Sequence, residues 1–335
     1  MENTPSSFNK QSAAAWIQSQ LTRLNMTLSG EIEEPHARPW STVWRVPTTN
    51  GDLYFKATPS VLVYEPALTQ TIGRQHPDQI PAVLAADWGQ GWMLLPDGGQ
   101  RLREILRSEG SSQRWETILP QYAALQITHI NQLDPLLALG MPDRRLDKLP
   151  ALLENLLADT GMLYIDEPDG ITTAEYETLQ GFLPRFSELC AELASYGIPH
   201  TINHGDLHDG NIFVKDGRYD ASFGRYIIFD WGDCSAAHPF FSLRTTFASL
   251  ENSLNLAEDD PIFEHLAHIY LQSWTDYAPM DNLLAAFGLA RRLWALSSML
   301  VWYRIVSSLE PSERGAYAVP VPALLQELLE ANSLR

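Results

Sequence analysis

Two segments of the chain carry side chains able to handle a metal ion and a phosphate. Asn203-His-Gly-Asp-Leu-His-Asp-Gly-Asn211 reads as a loop, with Gly205 and Gly210 permitting tight turns and Asp206, Asp209 and Asn211 supplying oxygens. Tyr226-Ile-Ile-Phe-Asp-Trp-Gly232 reads as a buried strand whose β-forming residues stop at Asp230. Two loop oxygens and one strand-end carboxylate, separated by a short β-hairpin, suit Mg²⁺, which takes a few hard oxygen ligands and keeps phosphate and water for the rest. A third feature lies far upstream. Lys56 sits in Leu53-Tyr-Phe-Lys-Ala57, a half-buried strand, and a lysine there needs an anion.

The spacing of these residues narrows the chemistry. Protein kinases carry H-x-D-x-x-x-x-N, in which the Asp takes the acceptor hydroxyl proton and the Asn holds a metal, and a second Asp, in D-F-G, holds Mg²⁺. His204, Asp206 and Asn211 stand in that pattern, and Asp230-Trp231-Gly232 takes the place of D-F-G. With Gly between His and Asp, and D-W after an apolar strand, the chain resembles the aminoglycoside phosphotransferase and choline kinase family, small-molecule kinases on the protein-kinase fold.

The resemblance implies an α+β, bilobal fold: a small N-lobe with a five-stranded antiparallel sheet and a larger, mostly helical C-lobe. It implies an enzyme that moves the γ-phosphoryl group of ATP or GTP to a hydroxyl of a small molecule, with Mg²⁺ as cofactor. Asp206 would take the hydroxyl proton, and His204 would brace the catalytic loop. Asn211 and Asp230 would hold the metal. Lys56 would contact the nucleotide phosphates and pair with Glu65, which lies on the helix expected from Val61 to Arg74; without such partners Lys56 would snorkel. Pro39-Trp-Ser-Thr42 replaces the Gly-rich loop of protein kinases, leaving Ser41 and Thr42 as phosphate-facing candidates. Leu94 and Leu95 would offer backbone groups to the base at the lobe boundary. One departure concerns His238-Pro239, which stands where many relatives have Gly-Asp-Pro; a carboxylate that could brace the loop is thus missing.

The elements that must position these residues are readable from periodicity. A helix is expected over 8–24, then strands at 27–33, 42–47, 53–57, 83–86 and 92–95, with Thr48-Thr-Asn-Gly-Asp52 as a hairpin turn. Pro96-Asp-Gly-Gly99 marks the boundary between an N-terminal nucleotide-binding domain, 1–97, and a C-terminal catalytic and substrate-binding domain, 98–335. Helices are expected at 113–132, 143–159, 173–195, 241–250, 261–277, 281–307 and 321–332.

Composition sets the remaining limits. Of 335 residues, 45% are hydrophobic, enough for a sizeable core. The net charge of −18 argues against a nucleic-acid partner. Residues 1–97 hold nine acidic and six basic side chains, a net of −3, which leaves −15 for 98–335. That field favours a cationic acceptor, though it also serves solubility. Cys190 and Cys234 form no disulfide or zinc framework, and no apolar run reaches the length of a membrane span, so a cytoplasmic protein without a membrane partner is expected. Its oligomeric state is left open.

Other residues carry alternatives. His204, Asp206 and His208 could form a metal triad of a hydrolase, and the whole fold could serve as a nucleotide-binding pseudokinase that regulates a partner. His208 otherwise faces the acceptor or the metal shell or is a solvated loop residue, and Asp233 reads as a carboxylate that orients the loop or meets a cationic substrate, or as a local cap. Trp274, Trp294, Trp302 and Tyr303 have core-packing spacings or form a cage for a quaternary ammonium. Glu258, Asp259 and Asp260 open a helix, where their charge favours the dipole.

Overall fold

The computed structural model describes residues 9–215 and 225–334, and the chain divides into two compact units. The first comprises the residues up to Leu102 together with Gly210–Gly232; the second comprises Arg103–Asp209 and the residues from Asp233 onward. The hairpin turn expected between Asn211 and Asp230 lies outside the described residues.

The first unit is built on an antiparallel sheet of β1 (Glu33–Arg38), β2 (Ser41–Thr48), β3 (Gly51–Ala57), β4 (Ala85–Asp87) and β5 (Trp92–Pro96), in the order β1-β2-β3-β5-β4. Helix α1 (Lys10–Arg23) begins where the Asn9 side chain accepts the Ser12 N–H at 2.9 Å. It buries Ala13, Ile17 and Leu21, four residues apart, in a core with Trp44, Val46, Phe55, Trp92 and Leu94. The second helix, α2 (Glu65–Gln75), starts later than the 61–74 expectation, because Ser60–Leu62 closes a separate 3₁₀ turn and Pro66 favours the first helical turn.

The first strand also differs from expectation. Instead of 27–33 it occupies Glu33–Arg38, all exposed, while Leu28 makes only an isolated bridge to Thr48. A charged edge strand has no buried face and so no alternation to read; its polarity protects the open edge.

Five shorter strands follow: β6 (Gln100–Arg101), β7 (Thr201–Asn203), β8 (Ile212–Lys215), β9 (Arg225–Ile228) and β10 (Ser235–Ala237). Strands β6, β8 and β9 form a small antiparallel sheet in the first unit; β7 and β10 pair in the second.

The second unit is otherwise helical: α3 (Leu102–Glu109, all but its first residue), α4 (Trp115–Thr128), α5 (Leu133–Leu137), α6 (Leu149–Ala158), α7 (Thr173–Ser195), α8 (Leu243–Leu254), α9 (Pro261–Gln272), α10 (Met280–Ser307), α11 (Pro311–Arg314) and α12 (Pro320–Ala331). Helix α7 coincides with its expected span because Thr172 and Glu175 close a capping box. Among the described residues α10 alone is long and apolar enough, by length and composition, to cross a membrane. Arg291 and Arg292 break its apolar run without breaking the helix. Of its most apolar stretch 67% is buried inside the protein, which marks it as a core helix.

Candidate active site

Strand β3 places Lys56 opposite Met93 of β5 and Val43 of β2, in the middle of the sheet. Its ammonium lies 2.6 Å from Glu65 Oε1 and 2.6 Å from Asp230 Oδ1. Lys56 and Glu65 are buried, whereas the Asp230 side chain is 47% exposed. Burial alone would lower the Lys56 pKa, but the charges and hydrogen bonds of Asp230 and Glu65 outweigh it and hold the ammonium above its usual range. Glu65 is pushed up, first by burial and then by Asp230, against the pull of Lys56. The Trp231 backbone N–H also supports this carboxylate. Gly232 makes room for it, since a Cβ there would lie 3.1 Å from Glu65 Oε2.

The β8–β9 register sets Asn211 beside Asp230. Ile212 pairs with Ile228, and the Phe229 N–H donates to the Asn211 carbonyl at 2.8 Å, so Asn211 and Asp230 flank the same end of the strand pair. Asp230 adopts φ of 65°, a left-handed conformation that turns the chain directly after β9. One amide and one half-exposed carboxylate give a hard-oxygen donor set that fits Mg²⁺, which leaves most of its positions to phosphate and water.

In the second unit, β7 runs into the loop that carries Asp206. The loop is held from several sides. The Tyr122 hydroxyl accepts the His204 N–H at 3.0 Å, Asn203 Oδ1 accepts the Gly205 N–H at 2.8 Å, and Thr246 of α8 donates to the Leu207 carbonyl at 2.8 Å. Gly205 has φ of +82°, and a Cβ there would lie 2.3 Å from the Asp233 carbonyl oxygen, so only glycine fits. Asp233 thus backs the loop through its main chain. His204 is fully buried and its Nδ1 accepts the Asp206 N–H at 3.3 Å, which makes it a brace.

Asp209 and His208, both noted in the loop from sequence, complete the support. Asp209, fully buried, accepts from Arg103 Nε at 2.7 Å and Ser249 Oγ at 2.8 Å. His208, expected to be solvated, instead sets its Nε2 3.2 Å from Asp206 Oδ2. The bracing carboxylate expected to be missing at His238 therefore has a counterpart within the loop itself. His238 is fully buried; its Nδ1 accepts the Phe240 N–H at 3.4 Å, and burial pushes its pKa down to about 3.

The remaining nucleotide-side candidates are placed as follows. Pro39 and Trp40 form the turn between β1 and β2, and Ser41 and Thr42 are buried at the start of β2 instead of standing in the turn. The Leu94 carbonyl accepts the Leu84 N–H at 2.9 Å, and Leu95 pairs with Tyr54 of β3. Antiparallel alternation therefore engages both within the sheet, and the next carbonyl on the β4 side, at Pro96, lies past the end of β4. His36 of β1 was missed by the sequence reading. Although exposed, it is partly shielded from water, which lowers its pKa first, with Arg38, Lys56 and Arg101 adding to the shift and Asp230 opposing it, so a basic group lies within electrostatic reach of Lys56 and Asp230.

A sequence profile of the phosphotransferase enzyme family matches residues 34–283, well over half of the chain. The chain belongs to the phosphotransferase enzyme family. It is a small-molecule phosphotransferase acting on hydroxyl groups. No curated protein matches its sequence significantly. Solved structures share its fold at low identity. The GDP complex of wild-type aminoglycoside 2′-phosphotransferase-IIIa aligns with a TM-score of 0.60 at 14% identity, covering 96% of this chain and 99% of that one. A choline/ethanolamine kinase family protein from Mesorhizobium loti gives 0.59 at 14%, covering 96% of each chain. The Plasmodium vivax ethanolamine kinase gives 0.58 at 11%, covering 96% of this chain and 89% of its own. The phosphotransferase thus has the protein-kinase-like fold that its motifs suggested.

The second unit of the phosphotransferase also holds a cavity of about 960 Å³, lined by α8, α9, α10, α12 and the residues before α9. Its wall carries seven carboxylates, Glu251, Glu258, Asp259, Asp260, Glu264, Glu327 and Glu330, against two guanidiniums, Arg244 and Arg291. Burial raises the Glu251 pKa, and Glu258 adds repulsion of like charge. Asp260 also caps α9, accepting the Ile262 N–H at 3.0 Å. Of the four aromatic residues considered for a cage, Trp294 lines this cavity with Arg291 over its ring at 5.5 Å. Trp274 is fully buried, while Trp302 and Tyr303 pack against a separate cluster around Met162 and Val306. The four do not form one cage. Among the described residues no group of three His, Cys, Asp or Glu side chains is arranged to hold a metal ion, and the hydrolase triad has no geometric support.

Proposed function

We propose that this phosphotransferase moves the γ-phosphoryl group of a purine nucleoside triphosphate, ATP or GTP, to a hydroxyl of a cationic small molecule. The observation that carries the reading is the buried Lys56 ammonium shared between Glu65 and Asp230. A lysine fixed by a helix carboxylate beside a strand-end aspartate is the arrangement that holds nucleotide phosphates in kinases. The GDP bound in the aminoglycoside 2′-phosphotransferase-IIIa structure supports a nucleotide donor and keeps guanine beside adenine as its base.

In this reading Lys56 binds the phosphates and Glu65 orients it. Asn211 and Asp230 would hold Mg²⁺, which neutralises phosphate charge when bound. The base would meet backbone groups at the end of β5, with Pro96 taking the role first given to Leu94 and Leu95. The hairpin carrying Ser41 and Thr42 would contribute its turn to the phosphates. Asp206 orients the acceptor hydroxyl and accepts its proton as the bond to phosphorus forms, since an aspartate is too weak a base to remove it beforehand. His204 holds the loop. The acidic cavity beside α8, the helix that also braces the Asp206 loop, supports a cationic acceptor.

The test is nucleoside diphosphate production from MgATP and MgGTP, with kanamycin, choline and ethanolamine offered separately as acceptors. Acceptor-dependent turnover that Asp206→Asn lowers by about 10² to 10⁴ supports the proposal. Nucleotide binding with no acceptor-dependent turnover across a wider panel of amino alcohols and amino sugars would assign the protein a regulatory role.

A further inference from the structure

The Asp206 carboxylate is joined to a connected set of polar side chains, His208, Arg103, Asp209 and Ser249, that the proposed reaction does not use directly. Asp206 Oδ2 lies 3.2 Å from His208 Nε2, and His208 Nδ1 lies 3.4 Å from Arg103 Nη2. Arg103, at the start of α3, is itself fixed by Asp209: Nε donates to the buried carboxylate at 2.7 Å, and the Arg103 backbone N–H donates to the Asp209 carbonyl at 3.0 Å. Ser249 of α8 closes the set, donating to Asp209 Oδ1 at 2.8 Å and standing 3.4 Å from Arg103 Nη2.

The donor and acceptor inventory gives this chain a direction. A guanidinium can only donate, so the His208 nitrogen facing Arg103 has to accept. In the neutral ring, the form present at pH 8 in the test below, that places the imidazole proton on Nε2, the nitrogen that faces Asp206. The neutral ring therefore donates to the aspartate, and the tautomer is set by an arginine that a fully buried carboxylate holds in place.

We propose that His208 and Arg103 are positioning residues for the Asp206 carboxylate, Arg103 fixing the His208 tautomer and His208 fixing the orientation of Asp206. The proposal rests on the reading of Asp206 as the proton acceptor. Its physical basis is that a charge-assisted hydrogen bond to one carboxylate oxygen restricts rotation of the group, and a catalytic group misplaced by about 1 Å loses on the order of 10² in rate. It assigns a function to His208 that is distinct from both metal ligation and solvation.

Two experiments test it. In the nucleotide-free protein, ¹⁵N-histidine NMR at pH 8 should show His208 as the Nε2–H tautomer, and Arg103→Gln should weaken that preference. An Nδ1–H tautomer in the wild-type protein overturns the proposal without any activity measurement. In turnover with MgATP and whichever of kanamycin, choline or ethanolamine is phosphorylated, or in MgATP hydrolysis if none is, His208→Leu should lower kcat by about 10- to 100-fold with KM values within about twofold. His208→Gln, whose amide N–H can still reach a carboxylate, should recover much of the loss. An unchanged kcat in His208→Leu, with Asp206→Asn inactive, overturns the positioning role and leaves the Asp206 reading standing. Near wild-type turnover in Asp206→Asn overturns both.

Discussion

His238 offers a quantitative test of how the second unit is held together. The imidazole is fully buried, its Nδ1 serves as the cap acceptor for the Phe240 N–H, and its ring packs on Phe240 and Phe241 at 4.8 and 5.6 Å. Among the described residues its Nε2 has no hydrogen-bond partner. Burial, reinforced by His200, pushes the folded-state pKa down to about 3 from a usual value of 6.5. The sign follows from proton counting. Below pH 6.5 the unfolded chain binds a proton at this site that the folded chain refuses, so stability is intact above pH 6.5 and is lost as pH falls toward 3. Each pH unit in that window removes about 1.4 kcal/mol, so lowering the pH from 6.5 to 5 costs about 2 kcal/mol from this residue. Replacing His238 by Asn keeps a cap acceptor and removes the titration. The variant should be less stable at pH 7.5 by about 1 to 3 kcal/mol through lost ring packing, with the gap narrowing by about 2 kcal/mol at pH 5. Urea unfolding of both proteins across that range measures it. A gap that stays constant with pH would refute the reasoning.

Three further outcomes are expected. Lys56→Met leaves Glu65 buried without its cation and should destabilise the nucleotide-free protein by up to about 3 to 5 kcal/mol, read by urea unfolding; an unaltered midpoint would reject the buried ion triplet. Gly205→Ala should lower turnover at least about tenfold and reduce Tm, because the new Cβ meets the Asp233 carbonyl at a φ of +82°; wild-type kinetics would show that the loop tolerates a side chain there. Asp230→Asn removes the charged member of the proposed metal donor pair, and the Mg²⁺ concentration for half-maximal turnover should rise about tenfold or more; an unchanged Mg²⁺ dependence would remove Asp230 from that role.

What the sequence revealed depended on whether a residue's role was local. Helix α7 was delimited by Thr172 and Glu175, three positions apart, and Asp206, Asn211 and Asp230 announced themselves by spacing. Strand β1 did not, because six exposed polar and small residues on an edge carry no hydrophobic alternation. Strands β7 and β10, three residues each, were too short for any periodic signal. The loop supports were hidden for another reason. Arg103 and Asp209 are 106 residues apart, and Ser249 lies 40 further on, so their meeting is a product of tertiary packing. The strand expected at 83–86 is present as β4, but its register could not be read from sequence, and that register engages the Leu94 carbonyl with the Leu84 N–H.

The ion triplet at Lys56 bears on how the proposed nucleotide donor would be met. With both carboxylates ionised, the ammonium and its two partners sum to a single negative charge, so a metal-free triphosphate approaching Lys56 in its proposed role would face repulsion. Affinity for free nucleotide should therefore be poor and rise steeply once a divalent ion is supplied. The protein would thereby discriminate against uncomplexed ATP before any acceptor arrives.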